Sequence, residues 1–354
     1  MNQKERIILF LLAGLNFTHI LDFMIMMPLG NYLMPYFHIS PWQFSLLVGA
    51  YSISAAVSGF TAAFIVDRFD RKKVLLVSYV GFIIGTLACG IAPTYGLLLG
   101  SRILAGLFGG IIGAQVLSII ADLFVYERRG TAMGAVMSAF AVASTLGVPF
   151  SLYLTNLFNF NWHVPFLLVG GIGIVLIPLI YKFIPGMSTH LKSAGNREST
   201  WRVLGKVFES PAQQQALLFS GLLMMGHFLI IPFLNPYLEF NKGFSKDLTP
   251  MVYLVGGISS FAAAIFLGRF SDKKGKLPVF SISVFLSLFM VLVITNMPDV
   301  HFSIVLAFFA VWFILATGRA VTAQAMVSEV VKTEQRGSFM SFNGSMQQLG
   351  TFIA

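Results

Sequence analysis

The stretch IILFLLAGLNFTHILDFMIMMPL, residues 7–29, contains only four polar residues, an Asn, a Thr, a His and an Asp. A helix of about 20 mostly apolar residues crosses the roughly 30 Å hydrocarbon core of a bilayer. Backbone polar groups in lipid must be satisfied within the segment itself, which a helix does. The stretch therefore predicts a membrane-spanning helix, with Asp22 at a position where burying an ionisable residue is costly.

The whole chain has the composition of a membrane protein. Of its 354 residues, 56% are hydrophobic and 10% are charged, and the mean hydropathy is +0.82. A soluble domain carries about 25% charged residues, so much of this surface must face lipid. Similar apolar runs recur along the chain, which excludes a cleavable signal peptide as their explanation. The single cysteine, Cys89, excludes an internal disulfide and argues against a thiol-based metal site.

Eleven apolar runs separated by breakers predict eleven helices in an all-α membrane protein. They lie near residues 7–35, 41–66, 74–92, 95–125, 130–158, 163–184, 212–240, 247–271, 277–296, 302–330 and 337–354. Two of these helices are preceded by Ser40-Pro41 and Ser210-Pro211, which place a capping residue before a proline in the first turn.

The basic residues predict the orientation. If the N-terminus is cytoplasmic, the outer loops hold only Lys242 and Lys246, and all other loop lysines and arginines lie inside. This asymmetry follows the positive-inside rule and explains the net charge of +9 without nucleic acid. We expect a multi-pass protein of the bacterial inner (plasma) membrane.

The chain also repeats itself. VDRFDRKK (66–73) returns as SDKKGK (271–276) at an offset of 205 residues, and ERRGTAM (127–133) returns as EQRGSFM (334–340) at an offset of 207. Parallel repeats of about six helices each are typical of secondary transporters, in which the substrate site lies between the repeats near the midplane.

The repeat predicts three regions. Residues 1–184 form an N-terminal six-helix bundle, 185–210 a cytoplasmic loop with a short surface helix around Trp201 to Val207, and 211–354 an incomplete C-terminal bundle. Because the sequence stops at GTFIA inside the eleventh helix, we expect a truncated chain that transports poorly by itself.

Several motifs resemble those of the major facilitator superfamily, and within it the twelve-helix drug:proton antiporters. The family's loop motif G-x-L-a-D-r-x-G-r-k is matched by Ala63, Ile65, Asp67, Arg68, Asp70, Arg71 and Lys72. Both glycines are replaced in this copy, by Ala63 and Asp70. The second copy keeps them, as Gly268, Asp272, Gly275 and Lys276.

Two further motifs lie in the fourth and fifth predicted helices. The family's R-x-x-q-G-x-g appears as Arg102, Ala105 and Gly106. Its antiporter signature ending G-P-x-x-G-G is only approximated, by Gly134, Gly147, Val148 and Pro149. The resemblance implies the major-facilitator fold, with the first, fourth, seventh and tenth helices lining a central cavity.

The loop motif suggests a latch. Asp67 closes the second helix, where Arg68, Arg71 and Lys72 are near enough to pair with it, and Asp122 is a further candidate partner. A charge cluster that forms in one conformation and breaks in another is a two-state device. In the family this cluster is implied to hold the cytoplasmic side shut. The alternative is that these charges only set topology.

Helix depth pairs Asp22 with Arg102. Asp22 lies roughly 9 Å below Pro28, taken as the outer edge of the first helix, and Arg102 is about as deep if the fourth helix enters near Gly96. An acid whose arginine partner and water access change between states can gain and lose a proton. We therefore predict a proton-coupling site. The alternative is a static ion pair that joins two helices.

Two histidines extend this prediction. His19 lies one helical turn before Asp22, and the offset of 205 places His227 at the position equivalent to Asp22. We expect both to belong to the coupling site or, equally, to be hydrogen-bonded wall residues. Further polar candidates for the substrate cavity are Asn16, Gln115, Asn235, Arg319 and Gln324. Arg319 would contact an anionic part of the substrate or a helix end.

These observations predict a monomeric secondary transporter that exports a small amphipathic compound by alternating access against inward proton flow. The proton gradient is its energy source, and we expect no cofactor. A proton symporter or uniporter for a sugar or another metabolite is the alternative within transport. A non-transporting receptor or channel is the alternative of another class. The sequence shows no metal cluster, phosphate loop or nucleophile constellation, so an enzyme finds no support.

Overall fold

A computed structural model describes residues 3–65, 69–124, 132, 136, 138–140, 142–187, 205, 209–330 and 336–354. Within these ranges the chain forms helices joined by short turns and contains no strand. Ten segments of this part are long and apolar enough to cross a membrane. The prediction of an all-α membrane fold is confirmed.

Twelve helices of the described residues are used below. They are α1 Gln3–Ile25, α2 Gly30–Phe37, α3 Pro41–Ile65, α4 Arg71–Gly90, α5 Tyr95–Leu123, α6 Val148–Leu157, α7 His163–Phe183, α8 Pro211–Phe228, α9 Thr249–Lys274, α10 Lys276–Thr295, α11 Phe302–Glu329 and α12 Arg336–Ile353. The first, fourth, seventh and tenth predicted helices correspond to α1 with α2, α5, α8 and α11. The predicted surface helix around Trp201 to Val207 lies outside the described residues, except for Gly205.

The first predicted helix is broken, so its prediction as one continuous helix over 7–35 is wrong. It ends at Ile25 and resumes at Gly30, because Pro28 has no backbone N–H to donate. Tighter turns replace the helical pattern, with Met27 N donating to Met24 O at 3.3 Å. The predicted helix over 212–240 likewise ends at Phe228 and continues as short 3-10 and π turns.

The internal repeat is visible in the helix ends. An offset of 205 residues carries α4, Arg71–Gly90, onto α10, Lys276–Thr295. The turn before each helix differs, however. Gly275 has a φ of +93°, a conformation that favours glycine, whereas Asp70, at the same repeat position, has a φ of −59°. The first copy therefore tolerates Asp70 because its turn takes a different path.

Two ends of the helical bundle can be told apart. At the end that we call the basic end, Arg71 pairs with Asp122 and Lys276 pairs with Glu329. The opposite end, called the far end, holds the starts of α3 and α5, where Tyr95 donates to the Gln43 carbonyl at 3.0 Å. Ser40 caps α3 as predicted, accepting from Gln43 N at 3.3 Å, whereas Ser210 makes no side-chain cap.

Helices before residue 188 and helices after residue 209, here called the N-terminal and C-terminal halves, pack against each other at several levels. One apolar cluster contains residues of both halves, such as Leu33 and Leu234. Nearer the basic end, α3 packs against α12, and the rings of Phe60 and Phe342 lie 5.8 Å apart. The polar α12 is not among the ten apolar segments, and it lies against α3 and α8.

Candidate functional site

Asp22 of α1 and Arg102 of α5 form an ion pair inside the N-terminal half. Arg102 Nη1 donates to Asp22 Oδ2 at 2.8 Å, and both side chains are 0% exposed. This is the contact that the depth argument predicts. Since each helix supplies one charge, the pair fixes the distance between α1 and α5.

The pair is enclosed by neighbouring helices. The Arg102 guanidinium carbon lies 4.6 Å from the centroid of the Tyr51 ring, which comes from α3, and Thr86 and Cys89 of α4 lie beside the two charges. Asp22 Oδ1 and Arg102 Nε and Nη2 make no hydrogen bond within 3.5 Å among the described residues, although Thr86 and Cys89 are close enough to interact with Asp22 and Arg102. Buried polar groups are normally satisfied, so this site holds spare hydrogen-bonding capacity.

His19 adds two more polar atoms to the same region. Its ring lies 5.5 Å from the Phe82 ring and 6.3 Å from the Tyr51 ring, and neither ring nitrogen has a partner within the described part of the chain. Gly109 of α5 leaves the necessary room, because a Cβ there would come within 3.1 Å of His19 Nε2 and would collide with the Tyr51 hydroxyl. A glycine is thus required for this close approach.

A second polar pair lies in the C-terminal half. His227 of α8 and Arg319 of α11 meet at 3.3 Å between Nδ1 and Nη2, and both side chains are half-buried. Trp312 of α11 stacks on His227, with centroids 5.7 Å apart and ring planes within 3°. The two predicted site residues His227 and Arg319, treated separately at the sequence level, are therefore neighbours.

Aromatic rings connect the two pairs. Phe23 of α1 lies 5.3 Å from Tyr51, the ring under Arg102, and 5.7 Å from Phe228, which adjoins His227 in the chain. The Phe23–Phe228 contact joins the N-terminal and C-terminal halves. Ring contacts thus run from the Arg102 side of the first pair to the boundary between the halves.

The other predicted cavity residues mostly hold helices together. Asn16 donates to Val136 O at 3.2 Å, and Asn235 donates to Pro28 O at 2.8 Å. Gln324 is exposed and accepts from Gln347 at 3.3 Å. Gln115 is buried, and its Oε1 has no partner among the described residues.

Only part of the loop motif lies within the residues that the structure describes. Arg71 Nε lies 2.6 Å from Asp122 Oδ2, and Lys72 Nζ lies 5.0 Å from the Tyr181 ring centroid. In the second copy, Gly268 accepts at its carbonyl from Ser271 at 2.7 Å. The predicted latch residues Asp67 and Arg68, and the side chain of Asp272, lie outside the described part.

Asp70, which replaces a family glycine, has a role that the sequence did not indicate. Its Oδ1 accepts from Lys73 N at 3.1 Å and so caps α4, while its Oδ2 accepts from Met187 N at 2.6 Å. Arg71 N in turn donates to Met187 O at 3.3 Å. The carboxylate thus fastens the segment after α7 to the start of α4.

The fifth-helix motif forms a bend between both halves. Ala143–Gly147 is a π turn, and Pro149 is buried in the first turn of α6, where its missing N–H costs least. A Cβ on Gly147 would approach Leu21 of α1 to 2.9 Å. Gly134, the other predicted glycine of this motif, lies outside the described residues.

A polar network closes the far end between the two halves. Asn31 of α2 donates to Glu239, and Lys246 Nζ lies 3.4 Å from Glu239 Oε1 and 4.9 Å from the Tyr32 ring centroid. Tyr32 donates to Asn156 Oδ1 at 2.6 Å. Sequence reasoning missed this network, although Lys246 is one of only two basic residues in the predicted outer loops.

The described residues contain no group of three or more His, Cys, Asp or Glu side chains that could hold a metal ion. Four of the ionisable side chains inside the spans instead form two separate pairs, Asp22 with Arg102 and His227 with Arg319. Such an arrangement can bind and release a proton or a polar ligand.

Comparison with known proteins finds transporters. The family model described as Major Facilitator Superfamily matches residues 12–354. The uncharacterized MFS-type transporter YceJ of Bacillus subtilis is 25% identical over 332 residues, which cover 94% of this chain and 83% of YceJ. A probable sugar efflux transporter of Helicobacter acinonychis is 21% identical over 309 residues, covering 87% and 76% of the two chains.

Solved structures show the same fold at low identity. The crystal structure of a bacterial homolog of the human lysosomal transporter Spinster, inward-facing and unoccupied, superposes with a TM-score of 0.77 at 17% identity, covering 99% of this chain and 82% of the other. The D-xylose-proton symporter superposes with a TM-score of 0.77 at 16% identity, covering 99% and 88%.

Proposed function

The chain belongs to the Major Facilitator Superfamily, and we propose that it is a secondary active transporter that exports a small amphipathic compound by alternating access, driven by inward proton flow. We further propose that it lies in a bacterial inner membrane as a monomer with a cytoplasmic N-terminus. In this proposal the proton gradient is the only energy source, and neither a cofactor nor nucleic acid takes part.

The observation that carries the proposal is the fully buried ion pair of Asp22 and Arg102. Removing two charges from water is expensive, and their attraction repays this only when every remaining hydrogen bond is satisfied. Here Asp22 Oδ1 and two guanidinium nitrogens have no partner in the described part of the chain. A pair that served only to join helices would be better replaced by apolar side chains, so a functional use of the charges is favoured.

Protonation of Asp22 would remove its negative charge and weaken its hold on Arg102. Arg102 rests on Tyr51, Tyr51 contacts Phe23, and Phe23 contacts Phe228 of the C-terminal half. A change at the pair would therefore alter the contact between the halves. We propose that this change selects between a state closed at the far end and a state closed at the basic end.

The two closures involve different contacts. The far end is held by the network around Glu239 and Lys246, and opening it requires these contacts to break. At the basic end we propose the loop motif as the latch, with Asp67 and Arg68 acting beside the Arg71–Asp122 pair. Proton binding and substrate binding would shift the balance between these two sets of contacts.

A proton symporter or uniporter for a sugar is the second candidate, because relatives and solved neighbours include a probable sugar efflux transporter and a D-xylose-proton symporter. A sugar site requires several free amide or hydroxyl groups. Asn16, Asn235 and Gln324 each bond to another part of the chain. Among the predicted cavity residues, only the amide oxygens of Gln115 and Asn235 are buried without a partner in the described part. The half-buried surroundings of His227 are mainly aromatic, which favours an amphipathic compound.

The test uses the full-length protein in proteoliposomes that contain a pH-sensitive dye. A pH gradient is imposed in either direction, and a panel of organic anions, lipophilic cations, neutral amphiphiles and sugars is followed. We expect uphill movement of at least one amphiphile opposite to proton flow, and only downhill movement with Asp22→Asn. Glu329→Gln, which removes an exposed carboxylate at the basic end, is the matched control and should behave as the unmodified protein.

The possible results separate the candidates. If Asp22→Asn still drives uphill movement, Asp22 is not the coupling group, and His19 is tested next. If substrate moves in the same direction as the proton, the chain is a symporter. If a sugar is the only compound transported, the second candidate replaces the first.

A further inference from the structure

From the geometry around Arg319 we infer that the transported compound carries an anionic group, of the carboxylate class, which binds to Arg319 and His227 while its apolar part packs against Phe23 and Phe228. This inference rests on the proposed transport function and specifies its substrate. It is carried by four features of the described residues: charge, hydrogen-bonding capacity, depth and the surrounding side chains.

The first feature is an uncompensated positive charge. Among the described residues, the only polar contact of the Arg319 side chain is with His227. α8 contains no acidic residue, and α11 contains only Glu329, which pairs with Lys276 at the basic end. An arginine within a membrane span is costly unless a counter-charge or water reaches it, and such residues mark ligand or ion pathways.

The two halves differ in whether the arginine has a negatively charged partner. His227 occupies the repeat position equivalent to Asp22, and each of these residues meets an arginine of the fourth helix of its own half. In the N-terminal half the carboxylate neutralises Arg102. In the C-terminal half a neutral imidazole leaves the charge of Arg319 in place. The second pair is therefore built as a receptor for a negative charge that the described residues do not supply.

The second feature is the direction of the hydrogen bond. A guanidinium only donates, so His227 Nδ1 must accept from Arg319, and the imidazole proton is then on Nε2. This leaves His227 with a second donor and Arg319 with further N–H groups. A planar guanidinium matches the two oxygens of a carboxylate. Because Nδ1 of His227 already accepts from Arg319, we assign His227 to substrate binding and not to the coupling site.

The third feature is depth. Arg319 lies ten residues before Glu329, the last residue of α11, which places it about 15 Å from the basic end of that helix at 1.5 Å per residue. This is close to the middle of a hydrocarbon core of roughly 30 Å. Substrate sites between parallel repeats are expected at that level.

The fourth feature is the nature of the walls. Trp312 stacks on His227, and Phe228 meets Phe23 across the boundary between the halves. The partly exposed rings of Phe23 and Phe228 suit an apolar body attached to the anionic group. A cationic compound is disfavoured, because the Asp22 carboxylate has no exposed surface and is bound to Arg102.

The test measures binding in the absence of any pH gradient. Protein in lipid nanodiscs is titrated by calorimetry with 4-phenylbutyrate, with its neutral amide and with 4-phenylbutylamine, three probes that share one apolar body. We expect the acid to bind roughly tenfold to a hundredfold more tightly than the amide, as for hydrogen bonds to a charged group. The amine should bind most weakly.

Variants identify the residues responsible. Arg319→Gln should abolish the preference for the acid, Arg319→Lys should keep part of it, and His227→Gln should reduce it less than Arg319→Gln. Lys274→Gln, which removes an exposed positive charge at the basic end, is the control and should bind as the unmodified protein. If Arg319→Gln fails to fold, the comparison of the three probes and the Arg319→Lys variant still decide the question.

Three results would overturn the inference: equal binding of acid and amide, no binding of the acid at millimolar concentration, or an unchanged preference in folded Arg319→Gln. The result of this binding test does not depend on whether transport is coupled to protons. Acid binding that depends on Arg319 without any uphill transport would support the anion site and refute the proposed function. Uphill transport restricted to neutral compounds would do the reverse.

Discussion

Asp22 and Arg102 lie 2.8 Å apart on two different helices, and neither side chain has any exposed surface. Each charge is therefore balanced mainly by the other, since both side chains are closed off from bulk solvent. Losing one partner leaves the other buried and uncompensated, which typically costs about 3–5 kcal/mol.

This dependence predicts the stability of two variants relative to the unmodified protein. Asp22→Leu should destabilise the protein by about 3–5 kcal/mol, because Arg102 is then buried alone. The double variant Asp22→Leu/Arg102→Met should recover most of that loss, since two apolar side chains replace both charges. Thermal denaturation in detergent measures all three proteins. A double variant as unstable as the single one would show that the cost arises from packing and not from charge.

The contact of α5 with α3 predicts the effect of a single methyl group. A Cβ on Gly106 would collide with the Tyr51 carbonyl oxygen and come within 3.0 Å of Ser54 Cβ. Gly106→Ala should therefore lower the free energy of unfolding by about 1–3 kcal/mol, because a backbone atom cannot move aside. Gly113→Ala is the matched control on the same helix, since a Cβ there meets nothing within 4 Å. Equal unfolding temperatures for the two variants would contradict this account.

Asp70 combines a helix cap with the attachment of Met187. Asp70→Ala should cost about 0.5–2 kcal/mol for the lost cap, with a further loss for the Met187 N–H. Asp70→Asn should keep the cap through its one oxygen but lose the Met187 contact, because an amide NH2 in place of Oδ2 cannot accept from the Met187 N–H. Protease sensitivity after Met187, compared between each variant and the unmodified protein, would report whether the attachment is lost. Sensitivity equal to that of the unmodified protein would show that Asp70 does not hold this segment.

The far-end network predicts that a cross-link between its two halves blocks transport reversibly. In a Cys89→Ser background, Asn31→Cys with Glu239→Cys places two thiols where the native side chains touch. Cross-linking them should prevent the far end from opening and stop transport, and a reductant should restore it. Each single-cysteine variant serves as a control. Full transport by the cross-linked protein would show that this network does not separate during the cycle.

Individual contacts show which features of the site could be predicted from the sequence. The pairing of Asp22 with Arg102 followed from the constant rise of a helix, which places both at one depth in adjacent elements. The contact of His227 with Arg319 did not follow, because it depends on the length and direction of the arginine side chain. The network of Asn31 with Glu239 joins residues 208 positions apart, and nothing local in either segment indicates it. The break at Pro28 follows from a local feature, the missing backbone N–H of proline, which the prediction of one helix over 7–35 did not take into account.

The sequence by itself determined the class of fold, the positions of the helices and the internal repeat, because these depend on local hydropathy and on similarity between segments. It also identified the few ionisable residues inside the spans, since each is conspicuous in an apolar run. Only the tertiary structure decided which of them meet. The rotation of each helix about its axis and the packing of its neighbours decide which face of the helix points to which neighbour. Hydropathy along the chain does not specify this orientation. This is why Asp22 is neutralised by Arg102 while Arg319 keeps its charge beside His227.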